Sequence, residues 1–158
     1  MQNLIHQTDK RLPRVFNLYG CNFRSLQAGV ELYTGKVLDI EDILYAYVEA
    51  LNREPPAMDK ELTIRWPDPI LNLTLALLGE PQYRGYQVGK QENGVATWWG
   101  WGKIEERIDF SVKKGYTVLG HDHFRLGDSK GALLWDPHGD KPEINKELMT
   151  IYYQIRPI

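Results

Sequence analysis

Along the chain the apolar positions change period once, and the change predicts a helical half followed by a strand half. Phe23, Leu26, Val30 and Tyr33 recur at helical spacing after Gly20-Cys21, and Gly35 closes the run. Just ahead of them, Val15-Phe16-Asn17-Leu18-Tyr19 reads as a short extended stretch that turns into this helix. Asp39 can cap a second helix with Ile40, Ile43, Leu44, Tyr47 and Leu51 on one apolar face, stopped by Pro55-Pro56. Asp68-Pro69 predicts an N-cap with proline at the first helical position, opening a third helix that ends at Gly79.

Beyond Gly79 the pattern is strand-like. Residues 83–89 and 96–102 are aromatic and β-prone, with Glu92-Asn93-Gly94 as the turn signal between them. Residues 104–114 read as a short helix closed by Gly115, and 116–120, 123–127, 132–135 and 150–155 as further strands. No repeat, low-complexity tract or long linker divides residues 1–158, so a single domain is expected. Helices first and an antiparallel sheet afterwards predict an α+β fold.

Composition narrows the function classes. A chain of 158 residues can bury one substantial core. Its net charge of −2 gives no general attraction to nucleic acid or an anionic membrane, so neither partner is expected. The longest apolar stretch, residues 70–78, is interrupted by Asn72 and Thr74 and is too short to span a bilayer. The first ten residues lack the charged start and apolar core of a signal peptide, which makes the cytoplasm the expected location, with export by another route left open. One cysteine allows no intrachain disulfide.

That cysteine carries the chemistry. Cys21 opens the first long helix, where free N–H groups and a partial positive charge favour a thiolate. Free cysteine titrates near pKa ~8.5, and such placement beside a histidine lowers it. Gly20 permits a tight turn and the close approach of a substrate backbone. A free cysteine standing alone is usually a small buried hydrophobe. Here a histidine and an aspartate follow about a hundred residues later, in His123-Phe-Arg-Leu-Gly-Asp-Ser-Lys-Gly-Ala-Leu-Leu-Trp-Asp136-Pro137. Asp128-Ser129-Lys130-Gly131 is a turn signal between two apolar runs. A two-residue loop at Ser129-Lys130, or a four-residue loop over 128–131, pairs Phe124 with Trp135 and His123 with Asp136. Directly opposed Cβ atoms are about 5 Å apart, within reach of a carboxylate–imidazole bond. A three-residue loop with Gly131 in a bulge shifts the register by one and sends the two side chains to opposite faces.

Other features compete. His121-x-His123 places two histidines on one strand face and admits a metal-dependent hydrolase, with Cys21 or Asp136 completing the ligands; a metal site is the weaker reading. An oxyanion needs donors, for which the Cys21 N–H and Asn17 are the candidates, with Gln7 fourteen residues before the cysteine. Trp98-Trp99-Gly100-Trp101 suits an aromatic wall for substrate or an ordinary strand. Glu105, Glu106 and Asp109, with Lys103, Arg107 and Lys113, read as the solvated face of the 104–114 helix. His6 and His138 fall in loops without an evident role.

The segments Tyr19-Gly20-Cys21-Asn22-Phe23-Arg24-Ser25-Leu26, Gly35-Lys36-Val37-Leu38 and Asp42-Ile43 resemble the start of papain-like cysteine peptidases of the C39-like group. The run from His123-Phe124-Arg125-Leu126 through Gly131 to Trp135-Asp136-Pro137 resembles the same group's His and Asp-Pro strands. The resemblance covers both ends and says little about residues 52–115. It implies a papain-like fold and thiol-dependent hydrolysis of an amide bond, with Cys21 as nucleophile, His123 as base then acid, and Asp136 orienting it. It requires no cofactor or metal, and its substrate is a peptide or protein. Two departures stand out: Val15 and Phe16 occupy the neighbourhood where such enzymes carry a glutamine, and position 22 is Asn where many have a small residue. The competing expectation is a non-catalytic papain-like domain that binds a peptide or protein partner in the same groove.

Overall fold

The computed structural model describes residues 3–98 and 108–158. Four helices pack on a six-stranded antiparallel sheet, which makes the fold α+β. The helices are α1 (Arg14–Tyr19), α2 (Cys21–Thr34), α3 (Ile40–Asn52) and α4 (Pro67–Leu77). The strands are β1 (Tyr83–Glu92), β2 (Val95–Trp98), β3 (Phe110–Thr117), β4 (Asp122–Gly127), β5 (Leu133–Trp135) and β6 (Ile144–Pro157), in the order β2-β1-β6-β3-β4-β5. Among the described residues no helix is long and apolar enough to cross a membrane.

The segment before Cys21 is helical, not extended. Pro13, held at φ −57°, starts α1, and Phe16 buries fully against the rings of Phe23 and Tyr47. Gly20 then separates α1 from α2 with φ −81° and ψ 6°. A Cβ there would stand 2.6 Å from the Phe16 carbonyl oxygen, so only glycine permits this close junction.

α2 is the axis of the helical layer, packing on β3, β4 and α4. Phe23, Leu26 and Val30 are buried as their spacing predicts, whereas Tyr33 is 41% exposed and meets Tyr83 edge-on. The helix also buries a polar stripe. Arg24 Nη2 donates to Glu31 Oε1 (2.9 Å), Arg24 Nη1 to Gln27 Oε1 (2.8 Å), and Glu31 Oε2 accepts from Leu38 N (2.9 Å). Arg24 Nε donates to Ile5 O (3.0 Å), tying the N-terminal loop to the helix.

α3 carries the expected cap as a full capping box. Asp39 Oδ1 accepts from Asp42 N (2.8 Å), while Asp42 Oδ2 accepts from Asp39 N (3.5 Å). Its apolar face reaches the core through Ile43, Ala46 and Ala50, with Ile40, Leu44, Tyr47 and Leu51 beside them. α4 begins earlier than Asp68-Pro69 suggests, with Pro67 in its first turn after Trp66. Asp68 does not cap it: its Oδ1 accepts from Gln87 N of β1 (3.0 Å).

The largest departure is β3. Where 104–114 reads as a helix, residues from Phe110 onward form a strand between β6 and β4, and 104–107 lie outside the described residues. A central strand buries both faces, so Phe110, Ser111 and Val112 are all buried and the period-two signal is lost. Asp109, expected on a solvated helix face, accepts from Ile155 N (2.6 Å), and Lys113 approaches Glu147 (3.9 Å). Glu105 and Glu106 lie outside the described residues. On the helical side Gly29 lets the Phe110 ring close on α2, where an added Cβ would lie 2.3 Å from ring carbons.

Candidate active site

Cys21 is the first residue of α2 and is 8% exposed. The helix projects its opening turn toward β4, whose residues 123 and 125 share a face by strand alternation. What remains is whether Asp136 of the next segment turns to the same face.

The β4–β5 hairpin answers through two displacements. Its loop has three residues: Asp128 N donates to Ala132 O (2.8 Å) and Gly131 N to Asp128 O (3.1 Å), with Gly131 at φ 84°. Asp128 Oδ1 reinforces the turn by accepting from Lys130 N (2.8 Å) and Ala132 N (2.9 Å). This is the register that sends His123 and Asp136 to opposite faces. One step on, Gly127 pairs with Leu133 but Leu126 pairs with Trp135, leaving Leu134 as an extra residue. The bulge adds a second one-residue shift and restores the shared face. The direct pairs Phe124–Trp135 and His123–Asp136 therefore do not form; Trp135 faces Leu126, and Asp136 reaches His123 along the diagonal.

The diagonal is closed by the side chains. His123 Nε2 donates to Asp136 Oδ1 (2.8 Å), and both residues are buried. The same oxygen accepts from His138 N (2.8 Å), which fixes the carboxylate from the other side. With Nε2 engaged, Nδ1 is the ring nitrogen left for Cys21, which lines the same cavity as the His123 ring. Burial alone would lower the His123 pKa. The hydrogen bonds to Asp136 and Cys21, and the charges of both, outweigh it and raise the value to about 9. The structure thus brings together all three expected members, Cys21, His123 and Asp136.

Asn17 is placed differently from expectation. Its Nδ2 donates to Gln7 O (2.7 Å) and Asp9 O (3.2 Å), so both amide hydrogens are engaged by backbone. It holds the N-terminal loop instead of facing an oxyanion. That loop delivers Gln7 to the cavity that Cys21 and His123 line. Gln7 N donates to Pro137 O (2.8 Å), and Gly139 N donates to Thr8 Oγ1 (3.1 Å), which ties the loop to the Asp136 segment. Gln7 Nε2 donates to the Phe16 and Asn17 carbonyls, each at 3.3 Å. Its Oε1 is buried with no partner among the described residues. Gln7 is the other oxyanion candidate of the sequence, and its position fourteen residues before Cys21 gave no local spacing argument for it. His138, read as a loop residue without a role, lies at a bend two residues after Asp136, and its ring meets that of His123 edge-on (6.2 Å between ring centroids).

Two cavities meet over Cys21, sharing Leu18, Cys21 and Asp122. One, of about 430 Å³, is lined by Tyr19, Asn22, Leu62, Ile64, Lys114 and Phe124 among others. The other, of about 390 Å³, is lined by Gln7, Leu119, His121, His123 and His138 among others. Leu18 and Leu119 stand exposed at 53% and 82% on its rim. Among the described residues no three His, Cys, Asp or Glu side chains are grouped to hold a metal ion. Trp98 lies on β2 at the far edge of the sheet, where it packs on Tyr152 (5.2 Å between rings). It is no wall of this cleft; 99–101 lie outside the described residues. Comparison with protein-family models, with curated proteins and with solved structures finds no match.

Proposed function

We propose that the chain is a papain-like cysteine peptidase or amidase, hydrolysing an amide bond of a peptide or protein with Cys21, His123 and Asp136. The observation that carries this reading is the His123–Asp136 hydrogen bond beside a cysteine that starts a helix and lines the same cavity as that ring. An imidazolium held beside sulfur is what a thiolate nucleophile needs.

In this reading the Cys21 sulfur attacks the substrate carbonyl, and a C–S bond forms as the carbonyl oxygen takes the negative charge. The Cys21 N–H meets that oxygen, and Gln7 Nε2 turns to it from two contacts at the weak end of the hydrogen-bond range. His123 passes its Nδ1 proton to the leaving amine as the C–N bond breaks. Water then attacks the thioester, giving a proton to His123, and the acid departs as sulfur is released. Asp136 orients the ring. Because His123 protonates the leaving group, the amine side occupies the cavity lined by His123 and His138, and the acyl side occupies the cavity lined by Tyr19, Ile64 and Phe124.

The burial of Cys21 favours one other reading, a non-catalytic domain that binds a peptide or protein in the same cleft. Alkylation by iodoacetamide from pH 4 to 9, in wild type and His123→Ala, separates the two. Catalytic chemistry requires fast labelling that persists below pH 7 and falls about 100-fold at pH 6 in the variant, since an ordinary thiol is only about 0.3% ionised there. Slow labelling that rises only near pH 8.5 in both proteins would leave the binding domain.

A further inference from the structure

A third cavity, of about 720 Å³, lies across residues 136–142 from the catalytic cleft; its lining includes His6, Arg125, Leu133, Trp135, Lys141 and Ile144. Its chemistry centres on Arg125, two residues after His123 on β4. Arg125 is only 5% exposed, its Nη2 donates to Glu147, and its Nε is buried with no partner among the described residues. The guanidinium sits in a slot built for it. A Cβ on Gly115 would stand 3.1 Å from Arg125 Nη2 and 2.9 Å from both Ile144 Cγ2 and Glu147 Oε1, so the glycine keeps the slot open.

Lys141 adds a second cation at the rim. The one carboxylate in the lining, Asp136, already has an oxygen bound by His123 and His138. The remaining wall is apolar, from Leu133, Leu134, Trp135, Pro142 and Ile144. Two cations in the lining with hydrocarbon around them suit an anion with an apolar body, and the volume matches ordinary small-molecule sites.

We propose that this cavity binds a small aliphatic carboxylate, with its carboxylate on Arg125 and Lys141 and its chain against Leu133, Trp135 and Ile144. The site uses neither Cys21 nor His123, so it stands or falls independently of the hydrolase reading. Isothermal titration of the full chain with octanoate, octanamide and inorganic phosphate tests it. Octanoate binds saturably at one site, and Arg125→Gln and Lys141→Gln each weaken it about tenfold or more, the loss expected for one charge-assisted contact. Octanamide, lacking the charge, and phosphate, lacking the chain, bind at least about tenfold more weakly. Lys141 is exposed, so its variant keeps the test valid if Arg125→Gln does not fold. No saturable octanoate binding, binding unchanged in folded Lys141→Gln, or equal binding of octanamide or phosphate would overturn the assignment.

Discussion

Two hairpins of one sheet show how differently turn chemistry and packing fix register. The β1–β2 hairpin turns on Asn93-Gly94, with φ 52° and 76°, and its pairs run without a break from Glu92–Val95 to Gly89–Trp98. A two-residue turn of this kind matches the twist of its strands, so the loop sequence alone sets every pair beyond it. The β4–β5 hairpin turns on three residues and then inserts Leu134, so the loop register holds for one pair only. A register read from a turn is therefore safe only until the first bulge, and here the bulge decides whether a triad exists.

The sharpest way to break the contrast is to delete Leu134. Without the bulge the loop register continues and Asp136 turns away from His123. Iodoacetamide labelling of Cys21 at pH 6 then falls at least roughly 100-fold, while circular dichroism shows the helices retained. Unchanged labelling in a folded deletion variant would refute the role given to the bulge.

Asp136→Asn is the milder version, keeping shape and removing charge. The His123 pKa, about 9 in the wild type, moves down toward the ordinary 6.5, and an NMR pH titration of the ring follows it directly. A related effect appears in stability. Since the folded state raises the His123 pKa, the protonated ring stabilises the fold fully below pH 6.5, and that contribution is lost as pH rises from 6.5 through 9. Chemical denaturation at pH 6 and pH 10 should differ by about 3 kcal/mol from this group, with most of the difference absent in His123→Ala.

The smallest effects compare the turn glycines. Gly94 and Gly131 have φ of 76° and 84°, so alanine at either costs about 1–2 kcal/mol, read as a lower Tm. Nothing lies within 4 Å of a Cβ on Gly94, and that variant leaves Cys21 labelling unchanged. Gly131→Ala strains the loop leading to the bulge and slows labelling at pH 6. Equal labelling in both variants would show that the loop and the bulge act separately.

Much of the fold is legible because its signals are local. The Asp39 cap, the helical spacing of Phe23, Leu26 and Val30, and the Asn93-Gly94 turn each depend on neighbours within a few residues, and each forms as read. The failures have physical reasons too. Residues 15–19 fold as a helix because Pro13 starts them and Phe16 finds a pocket between Phe23 and Tyr47. Phe110 to Lys114 form a strand because β4 and β6 pair with them on both sides, overriding a helical pattern.

The candidate site divides in the same way. Residue type and chain order marked Cys21, His123 and Asp136, since a lone thiol, an imidazole and a carboxylate are the groups such chemistry requires. Their meeting depended on a bulge at Leu134, which balances the loop only once β5 is packed. Gln7 and His138 join them through hydrogen bonds from Gln7 N to Pro137 O and from His138 N to Asp136, contacts that span the whole chain or hang on the bulge. Local propensity lies in the order of residues, but register and long-range backbone contacts are free-energy balances of the assembled sheet, and no short segment contains them.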